Sequence, residues 1–211
     1  MGVKAILWDF GGVITASPFE GFNRYEQARN LPEGFIRKVN TVNPNANAWA
    51  RFERSEIDRD GFIGAFEDEA KALGHTLSGE AVLAAMMGAP RPIMVRALKR
   101  VKEMYTIACL TNNVARMPRP PGQEAEIERI MSLFSHVIES SKVGSRKPEK
   151  RFYEYALETV GVEAGEAVFL DDLGVNLKSA REMGMATIKV IEPKKALEDL
   201  GRIIDMDLIT D

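Results

Sequence analysis

The chain has 211 residues, which is room for one domain, or for one domain with a modest insertion, and too little for two full-sized cores. Of these residues 45% are hydrophobic and 28% are charged, and no apolar run reaches the roughly 18 residues that a membrane-spanning helix needs. The 28 basic and 31 acidic residues give a formal charge of -3, without the basic excess of nucleic-acid-binding proteins, so we expect neither a nucleic acid nor a membrane as partner.

The first predicted element is a strand, from the short apolar run at residues 3–8. A charged residue, Lys4, interrupts this run too early for a secretory signal, and the single cysteine, Cys109, excludes a disulfide within the chain. We therefore expect a cytosolic (cytoplasmic) protein. The sequence leaves its oligomeric state open.

Residues 17–88 carry helical patterns without a convincing strand. Helix starts are predicted after Pro18, Pro32, Pro44 and Ser78, and at a cap formed by Asp58. This stretch is therefore predicted to be an all-helical insertion that follows the first strand.

The rest of the chain alternates between strand-length apolar runs and helical patterns. The further predicted strands lie at residues 106–110, 136–138, 167–170 and 186–190. The predicted helices lie at residues 92–104, 124–134, 150–160 and 177–183. In the third of these helices, four residues are predicted to share one face: Phe152, Tyr155, Ala156 and Thr159.

Strands that alternate with helices imply parallel pairing through helical crossovers. The predicted fold class is therefore α/β, with a doubly wound, Rossmann-like parallel sheet. Residues 1–16 and 89–211 are predicted to form this core domain, and residues 17–88 an inserted helical cap domain.

Polar residues follow the predicted strands at the edge where a doubly wound sheet binds its ligands. The first strand is followed by Asp9, the second by Thr111, and the fourth by Asp171 and Asp172. Lys147 shortly precedes a predicted helix. Three carboxylates, a hydroxyl and an ammonium group are thus expected to converge on one edge of the sheet.

This set suits phosphoryl transfer assisted by Mg²⁺, a hard cation that prefers oxygen ligands and keeps several waters. A carboxylate beside the metal, Asp9, can attack phosphorus and form an aspartyl-phosphate, which splits hydrolysis into two easier steps. Lys147, Thr111 and the backbone N–H groups after Asp9 and Thr111 would stabilise the phosphoryl oxygens. Gly11 and Gly12 let the loop backbone approach the phosphate closely.

Four short motifs follow one another along the chain: Leu-Trp-Asp-Phe-Gly-Gly-Val at residues 7–13, Cys-Leu-Thr-Asn at 109–112, Lys-Pro at 147–148 and Phe-Leu-Asp-Asp at 169–172. In this order they resemble the motifs of the haloacid dehalogenase superfamily, in the branch with a helical cap after the first strand. The second half of the chain is similar to the N-terminal phosphatase domain of soluble epoxide hydrolase and to the matching domain of acyl-CoA dehydrogenase fusion proteins. The resemblance covers essentially the whole chain and implies a hydrolase that acts on a small phosphorylated metabolite.

The resemblance also implies a role for each residue of the site. Asp9 matches the nucleophile and a metal ligand, Gly11 supplies its backbone carbonyl to Mg²⁺, and Asp172 is the direct acidic ligand. The other matches are Asp171, which reaches the metal through water, Thr111 and Lys147, which hold the phosphate, Gly12 and Asn112, which lie beside it, and Asn176, which orients Lys147 or Asp172.

The sequence departs from the family phosphatases at one position. These enzymes usually carry a second Asp two residues after the nucleophile, as acid for the leaving oxygen and base for the attacking water, and this chain has Gly11 there. General acid–base catalysis contributes roughly 10²- to 10⁴-fold to a rate, so a phosphatase with this site is expected to be slow.

Two alternatives stay open because of this departure. Family members that cleave carbon–halogen or carbon–phosphorus bonds also lack the second Asp, so the chain resembles a dehalogenase or phosphonatase in this respect. The other alternative is a catalytically weak protein that binds a phosphometabolite or regulates a partner. Asp171, Asp172 and Lys147 favour the phosphatase, because a dehalogenase needs no metal.

Two interpretations also stay open for the predicted cap residues Arg51, Phe52, Glu53 and Arg54. They line the substrate entrance, or they form a solvated helix face with Phe52 turned inward.

Overall fold

A computed structural model describes residues 2–86, 88–113 and 123–210 of the protein. Its five strands are β1 Ala5–Trp8, β2 Thr106–Thr111, β3 His136–Glu139, β4 Ala167–Asp171 and β5 Ala186–Lys189. They form one sheet in the order β3-β2-β1-β4-β5, and every pair of neighbours is parallel. The predicted α/β fold class is confirmed.

The α-helices found among the described residues are α1 Pro18–Ala28, α2 Phe35–Thr41, α3 Ala48–Glu53, α4 Arg59–Ala72, α5 Gly79–Ala85, α6 Pro92–Val101, α7 Gln123–Met131, α8 Ser140–Val143, α9 Lys150–Val160, α10 Gly174–Glu182 and α11 Pro193–Ile204. Within the same residues, no helix combines the length and the apolarity that crossing a membrane requires.

Strand β1 shows how helices cover both faces of the sheet. Ile6 and Trp8 belong to a buried cluster with α6, α7 and α11, whereas Ala5 and Leu7 belong to a second cluster with α9 and α10. All four side chains are fully buried. A strand buried on both faces is a continuous apolar run in the sequence, which is the pattern that predicted β1.

Helices α1 to α5 lie in the predicted insertion and have an apolar cluster of their own. Its centre is aromatic, because the Phe62 ring stacks on Phe52 and Phe66 at centroid distances of 4.7 and 5.2 Å. Side-chain caps start three of these helices, namely Asn47 for α3, Asp58 for α4 and Ser78 for α5. The insertion therefore buries its own apolar residues.

The chain leaves the sheet for the insertion and returns to it at adjacent points. Thr15 and Pro90 form an isolated antiparallel bridge, and the N–H of Ala16 donates to the C=O of Ala89 at 2.8 Å. This junction supports the division into a core of residues 1–16 and 89–211 and a cap of residues 17–88, which we keep as a proposal.

The predicted face of α9 is wrong in two residues. Its buried side chains are Phe152, Tyr153 and Ala156, whereas Tyr155 is 47% exposed and Thr159 is exposed as well. Tyr153 is buried because its hydroxyl donates to the C=O of Asn176 at 2.9 Å, so the polar end of the ring has a partner inside the core.

Two helices, α8 and α11, lie where none is predicted. Helix α11 does carry a signal, since Pro193 stands in its first turn and Leu197, Leu200 and Ile204 are buried at helical spacing. Helix α8 is a single turn of 4 residues after β3, which is too short for a periodic pattern. Helix α10 begins at Gly174, earlier than the predicted residue 177.

Candidate active site

Four of the predicted site residues lie at the carboxyl ends of neighbouring strands. Because β1 pairs with both β2 and β4, Asp9 after β1 lies between Thr111 at the end of β2 and Asp171 at the end of β4. Asp9, Asp171 and Asp172 each offer a carboxylate oxygen, and these oxygens lie within 4.8 Å of one another. The structure thus brings the predicted acidic cluster together between β1 and β4, where the strand order reverses.

Lys147 lies before α9 and points into this cluster. Its side chain is 1% exposed, and Nζ lies 2.8 Å from Oδ1 of Asp9 and 2.8 Å from Oδ2 of Asp171. Burial opposes the ammonium charge, but Asp171 and Asp9 outweigh burial and raise the pKa of Lys147 above its ordinary value. Lys147 is therefore a fixed positive charge beside the nucleophile candidate.

Both carboxylate oxygens of Asp171 are bound by the protein. Oδ1 accepts from the backbone N–H of Leu173 at 2.8 Å and Oδ2 from Lys147, while Nδ2 of Asn176 lies 3.1 and 3.0 Å from the two oxygens. The partner of Asn176 is thus Asp171, not Lys147 or Asp172 as expected. Because both oxygens of Asp171 already accept hydrogen bonds, this carboxylate would contact a metal through water.

Asp9 and Asp172 are better suited than Asp171 to bind a cation directly. Burial raises the pKa of Asp9 well above its ordinary value, Lys147 opposes this rise, and Asp171 and Asp172 add to it. Burial, followed by the Asp171 charge, raises the pKa of Asp172 to about 6. Negative charge at the site thus exceeds what Lys147 balances, and a divalent cation would stabilise the ionised carboxylates. The donor set is oxygen only, which fits Mg²⁺ better than metals that favour nitrogen or sulfur ligands.

The two glycines after Asp9 differ in what their positions require. Gly12 has a φ of 80°, and a Cβ there would lie 2.2 Å from Oδ2 of Asp172. Gly11 has φ -70° and ψ 129°, and a Cβ there would come no closer than 3.7 Å to Pro18. Only glycine therefore fits at position 12, whereas the backbone at position 11 accepts any residue.

We expect Gly12→Ala to lower the free energy of unfolding by about 1 to 3 kcal/mol and to weaken Mg²⁺ binding. The added methyl group takes the space of the Asp172 carboxylate. Urea denaturation and calorimetric titration of Mg²⁺ measure the two effects. Gly64→Ala is the matched control, because Gly64 is exposed on α4 and nothing lies within 4 Å of an added Cβ. Unchanged Mg²⁺ affinity in Gly12→Ala would contradict this role of the loop.

Thr111 and Asn112 are placed differently. Thr111 is buried at the end of β2, beside the cluster. The side chain of Asn112 binds the backbone of Lys147, with Nδ2 donating to its C=O at 2.9 Å and Oδ1 accepting from its N–H at 2.8 Å. That Asn112 lies beside the phosphate stays a prediction. Because the side chain binds Lys147, the backbone N–H of Asn112 would be the group that binds the phosphate.

Two residues near the cluster have no counterpart among the predicted site residues. The Ser17 hydroxyl donates to Oδ2 of Asp172 at 3.3 Å, and Arg91 donates to the C=O of Gly12 at 3.1 Å. Each lies close to a crossing between core and insertion. In the sequence, a polar residue next to a predicted boundary between core and insertion is the signal that could have identified Ser17 and Arg91.

A cleft of about 460 Å³ opens beside Gly12 and Asp172. Its walls combine apolar side chains with both cationic and acidic ones, including Phe19, Arg37, Arg91, Lys189 and Glu20. The Arg37 guanidinium lies 4.0 Å from the centre of the Phe19 ring. The cleft therefore opens a path for a small molecule to the cluster from this side.

Comparisons with known proteins agree with this geometry. A model of the family described as haloacid dehalogenase-like hydrolase matches residues 3–184. Acyl-CoA dehydrogenase family member 10 of Mus musculus is 29% identical over 212 residues, covering 97% of this chain and 19% of that protein. Bifunctional epoxide hydrolase 2 of Sus scrofa is 28% identical over 222 residues, covering 99% and 40%. The chain thus spans less than half the length of these two relatives.

A third relative has nearly the same length. The sesquiterpene phosphatase of Aspergillus oryzae is 24% identical over 205 residues, which cover 95% of this chain and 96% of that protein.

Solved structures resemble the whole chain. A HAD-like family hydrolase of Porphyromonas gingivalis has a TM-score of 0.67 at 18% identity and covers 98% of this chain and 100% of its own. A HAD family enzyme of Bacteroides thetaiotaomicron, in complex with magnesium and inorganic phosphate, has a TM-score of 0.59 at 20% identity and covers 89% and 94%. At these identities the likeness shows the fold.

Proposed function

Since this chain belongs to the haloacid dehalogenase-like hydrolase family, we propose that it is a Mg²⁺-dependent phosphatase that hydrolyses a small phosphomonoester through an aspartyl-phosphate on Asp9. One observation carries the proposal. A buried carboxylate, Asp9, lies 2.8 Å from the Lys147 ammonium and within 4.8 Å of two further carboxylates. Nucleophile, phosphate-binding cation and metal ligands are therefore side by side.

Asp9, Asp172 and the backbone carbonyl of Gly11 would hold Mg²⁺, with Asp171 reaching it through water. Bound there, Mg²⁺ would supply positive charge that keeps Asp9 ionised and stabilises the charge on the phosphoryl oxygens.

In the first step Asp9 attacks the phosphorus. The Phe10 N–H at 2.6 Å and Lys147 at 2.8 Å both contact Oδ1 of Asp9, so we assign the attack to Oδ2. The bond from Oδ2 to phosphorus forms as the bond from phosphorus to the ester oxygen breaks. Lys147, the Thr111 hydroxyl and the Asn112 N–H donate to the phosphoryl oxygens, where the charge of the transition state is spread.

In the second step water attacks the phosphorus of the aspartyl-phosphate, so that phosphate leaves and the Asp9 carboxylate is restored. Because Gly11 has no acidic side chain, the leaving alkoxide takes its proton from water, and the attacking water gives its proton to solvent. Helices α1 to α5 form a cap whose closure excludes other water from the site and selects the substrate.

The site and the relatives support one substrate class. The cleft accepts a small organic group beside Asp172, and a relative of nearly the same length is named a sesquiterpene phosphatase. A small phosphorylated metabolite of the cytosol therefore remains the proposed substrate.

The test is phosphate release from a broad panel of phosphomonoesters. We expect turnover with Mg²⁺ and a loss of at least about 100-fold with EDTA, because the phosphoryl charge then lacks its counter-ion. Added Mg²⁺ in excess of EDTA should restore the rate, which controls for damage to the protein. No turnover on any ester with Mg²⁺ would refute the phosphatase.

Gly11 favours a second candidate, a dehalogenase or phosphonatase, since neither needs the missing acid. Halide release from 2-haloacids in the presence of EDTA would select a dehalogenase, and phosphate release from phosphonates but not from esters would select a phosphonatase. Tight Mg²⁺-dependent binding of a phosphorylated metabolite without turnover would select a binding or regulatory protein.

A further inference from the structure

Glu53, the last residue of α3, brings a carboxylate of the insertion against the loops of the site. Its side chain is 8% exposed. Oε2 lies 2.5 Å from Nε of Arg146 and 3.4 Å from Nδ2 of Asn112, and Oε1 accepts from the indole N–H of Trp49 at 3.0 Å. One side chain of the insertion therefore contacts two loops of the core at once.

Both core partners of Glu53 are connected to Lys147. Arg146 directly precedes Lys147 in the chain, and Asn112 binds the backbone N–H and C=O of Lys147 at 2.8 and 2.9 Å. The Lys147 ammonium in turn lies 2.8 Å from Asp9. A displacement of Asn112 or Arg146 would therefore shift the Lys147 backbone, from which the side chain reaches the nucleophile.

The Glu53 charge is costly where it lies. Burial raises the pKa of Glu53 above its ordinary value, although Arg146 opposes the rise. Apolar residues often replace a buried ion pair without loss of stability. Stability alone therefore does not account for a carboxylate here.

We propose that Glu53 is a positioning residue, which holds Asn112 and Arg146 and thereby fixes the Lys147 ammonium beside the phosphate. Lys147 is then correctly placed only while α3 is seated on the core, so docking of the insertion completes the site. This inference rests on the proposed function, because the role of Lys147 is assigned there.

Glu53→Gln tests the inference, because it keeps the side-chain volume and an acceptor for Trp49 while removing the charge opposite Arg146. With the best phosphomonoester of the panel, we expect kcat to fall about 10- to 100-fold and KM to stay within about threefold. Orthovanadate mimics phosphorus in the transition state, so its inhibition constant should rise about tenfold, while that of inorganic phosphate stays within about threefold. Unchanged kcat and vanadate inhibition would overturn the proposal.

Two further variants separate positioning from stability. Glu69→Gln is the matched control, because Glu69 accepts from the Ala48 N–H at the start of α3 at 2.7 Å, and it should keep the wild-type kcat. Glu53→Gln combined with Arg146→Gln removes both charges of the buried pair, so it should unfold at a higher urea concentration than Glu53→Gln alone yet keep the low kcat. Recovery of kcat in the double variant, or an equal loss in Glu69→Gln, would show a structural role only.

Binding of orthovanadate separates this inference from the proposed function. If the wild type hydrolyses no ester, the phosphatase proposal fails, and calorimetric titration of orthovanadate with Mg²⁺ decides the role of Glu53. Binding about tenfold weaker in Glu53→Gln than in both the wild type and Glu69→Gln would support it. Equal binding, or no binding by the wild type, would overturn it.

Discussion

Asp9→Asn is expected to abolish phosphomonoester hydrolysis, with a loss in kcat of at least about 10⁴-fold. An amide is too weak a nucleophile to attack phosphorus, so the aspartyl-phosphate cannot form. The change keeps the side-chain volume, and Lys147 keeps its contact with Asp171 at 2.8 Å, so the fold should be preserved. Acid quenching of a reaction with a ³²P-labelled ester should show a labelled protein for the wild type and none for the variant.

Asp68→Asn is the matched control for this experiment. Asp68 is exposed on α4, outside the acidic cluster, and its loss should leave both the labelling and the rate unchanged. Hydrolysis by Asp9→Asn clearly above the buffer rate would mean that another residue is the nucleophile.

Gly11→Asp is expected to raise kcat by about 10²- to 10⁴-fold for esters of poorly acidic alcohols. A carboxylic acid at this position can protonate the leaving oxygen and then accept a proton from the attacking water. The backbone accepts the change, because φ is -70° and the nearest atom to an added Cβ is 3.7 Å away. The gain should be smaller for p-nitrophenyl phosphate, whose leaving group needs no acid. Steady-state kinetics on an alkyl and a nitrophenyl ester measure the difference.

Gly11→Asn isolates the acid from the bulk of the new side chain. It has nearly the same shape as the Asp variant and no proton to donate at neutral pH, so its kcat should stay near that of the wild type. A rate for Gly11→Asp that is unchanged, or equal to that of Gly11→Asn, would show that the missing acid does not limit turnover.

The acidic cluster could be predicted because each member directly follows an apolar strand. Parallel strands bring their carboxyl ends to one edge of a sheet, so Asp9, Asp171 and Asp172 had to lie near one another once the strands were recognised. Lys147 follows no strand, so its place in the site was predicted from the order of the motifs. The partner of Asn176 depends on the turn at the start of α10, which periodicity does not describe.

The contacts of Glu53 could not be predicted. Asn112 lies 59 positions further along the chain, and contact between the two depends on how the insertion sits on the sheet. For residues 51–54 neither interpretation holds for all four, since Phe52 is buried, Arg51 is exposed, and Glu53 and Arg54 both contact core residues. Helical periodicity identifies an apolar face, but it does not tell which polar residue of the insertion contacts the loops beside the sheet.

The junction at Thr15 and Pro90 has a consequence for how such a protein changes during evolution. Because the outgoing and returning segments are hydrogen-bonded to each other, the inserted segment begins and ends at one place beside the sheet. Recombination at two points, one before and one after residues 17–88, could therefore exchange the whole segment without altering the proposed reacting groups. If Glu53 acts as proposed, a replacement segment must also supply an acidic side chain for Asn112 and Arg146. Chimeric proteins would then show which contacts with the core a new cap needs for activity.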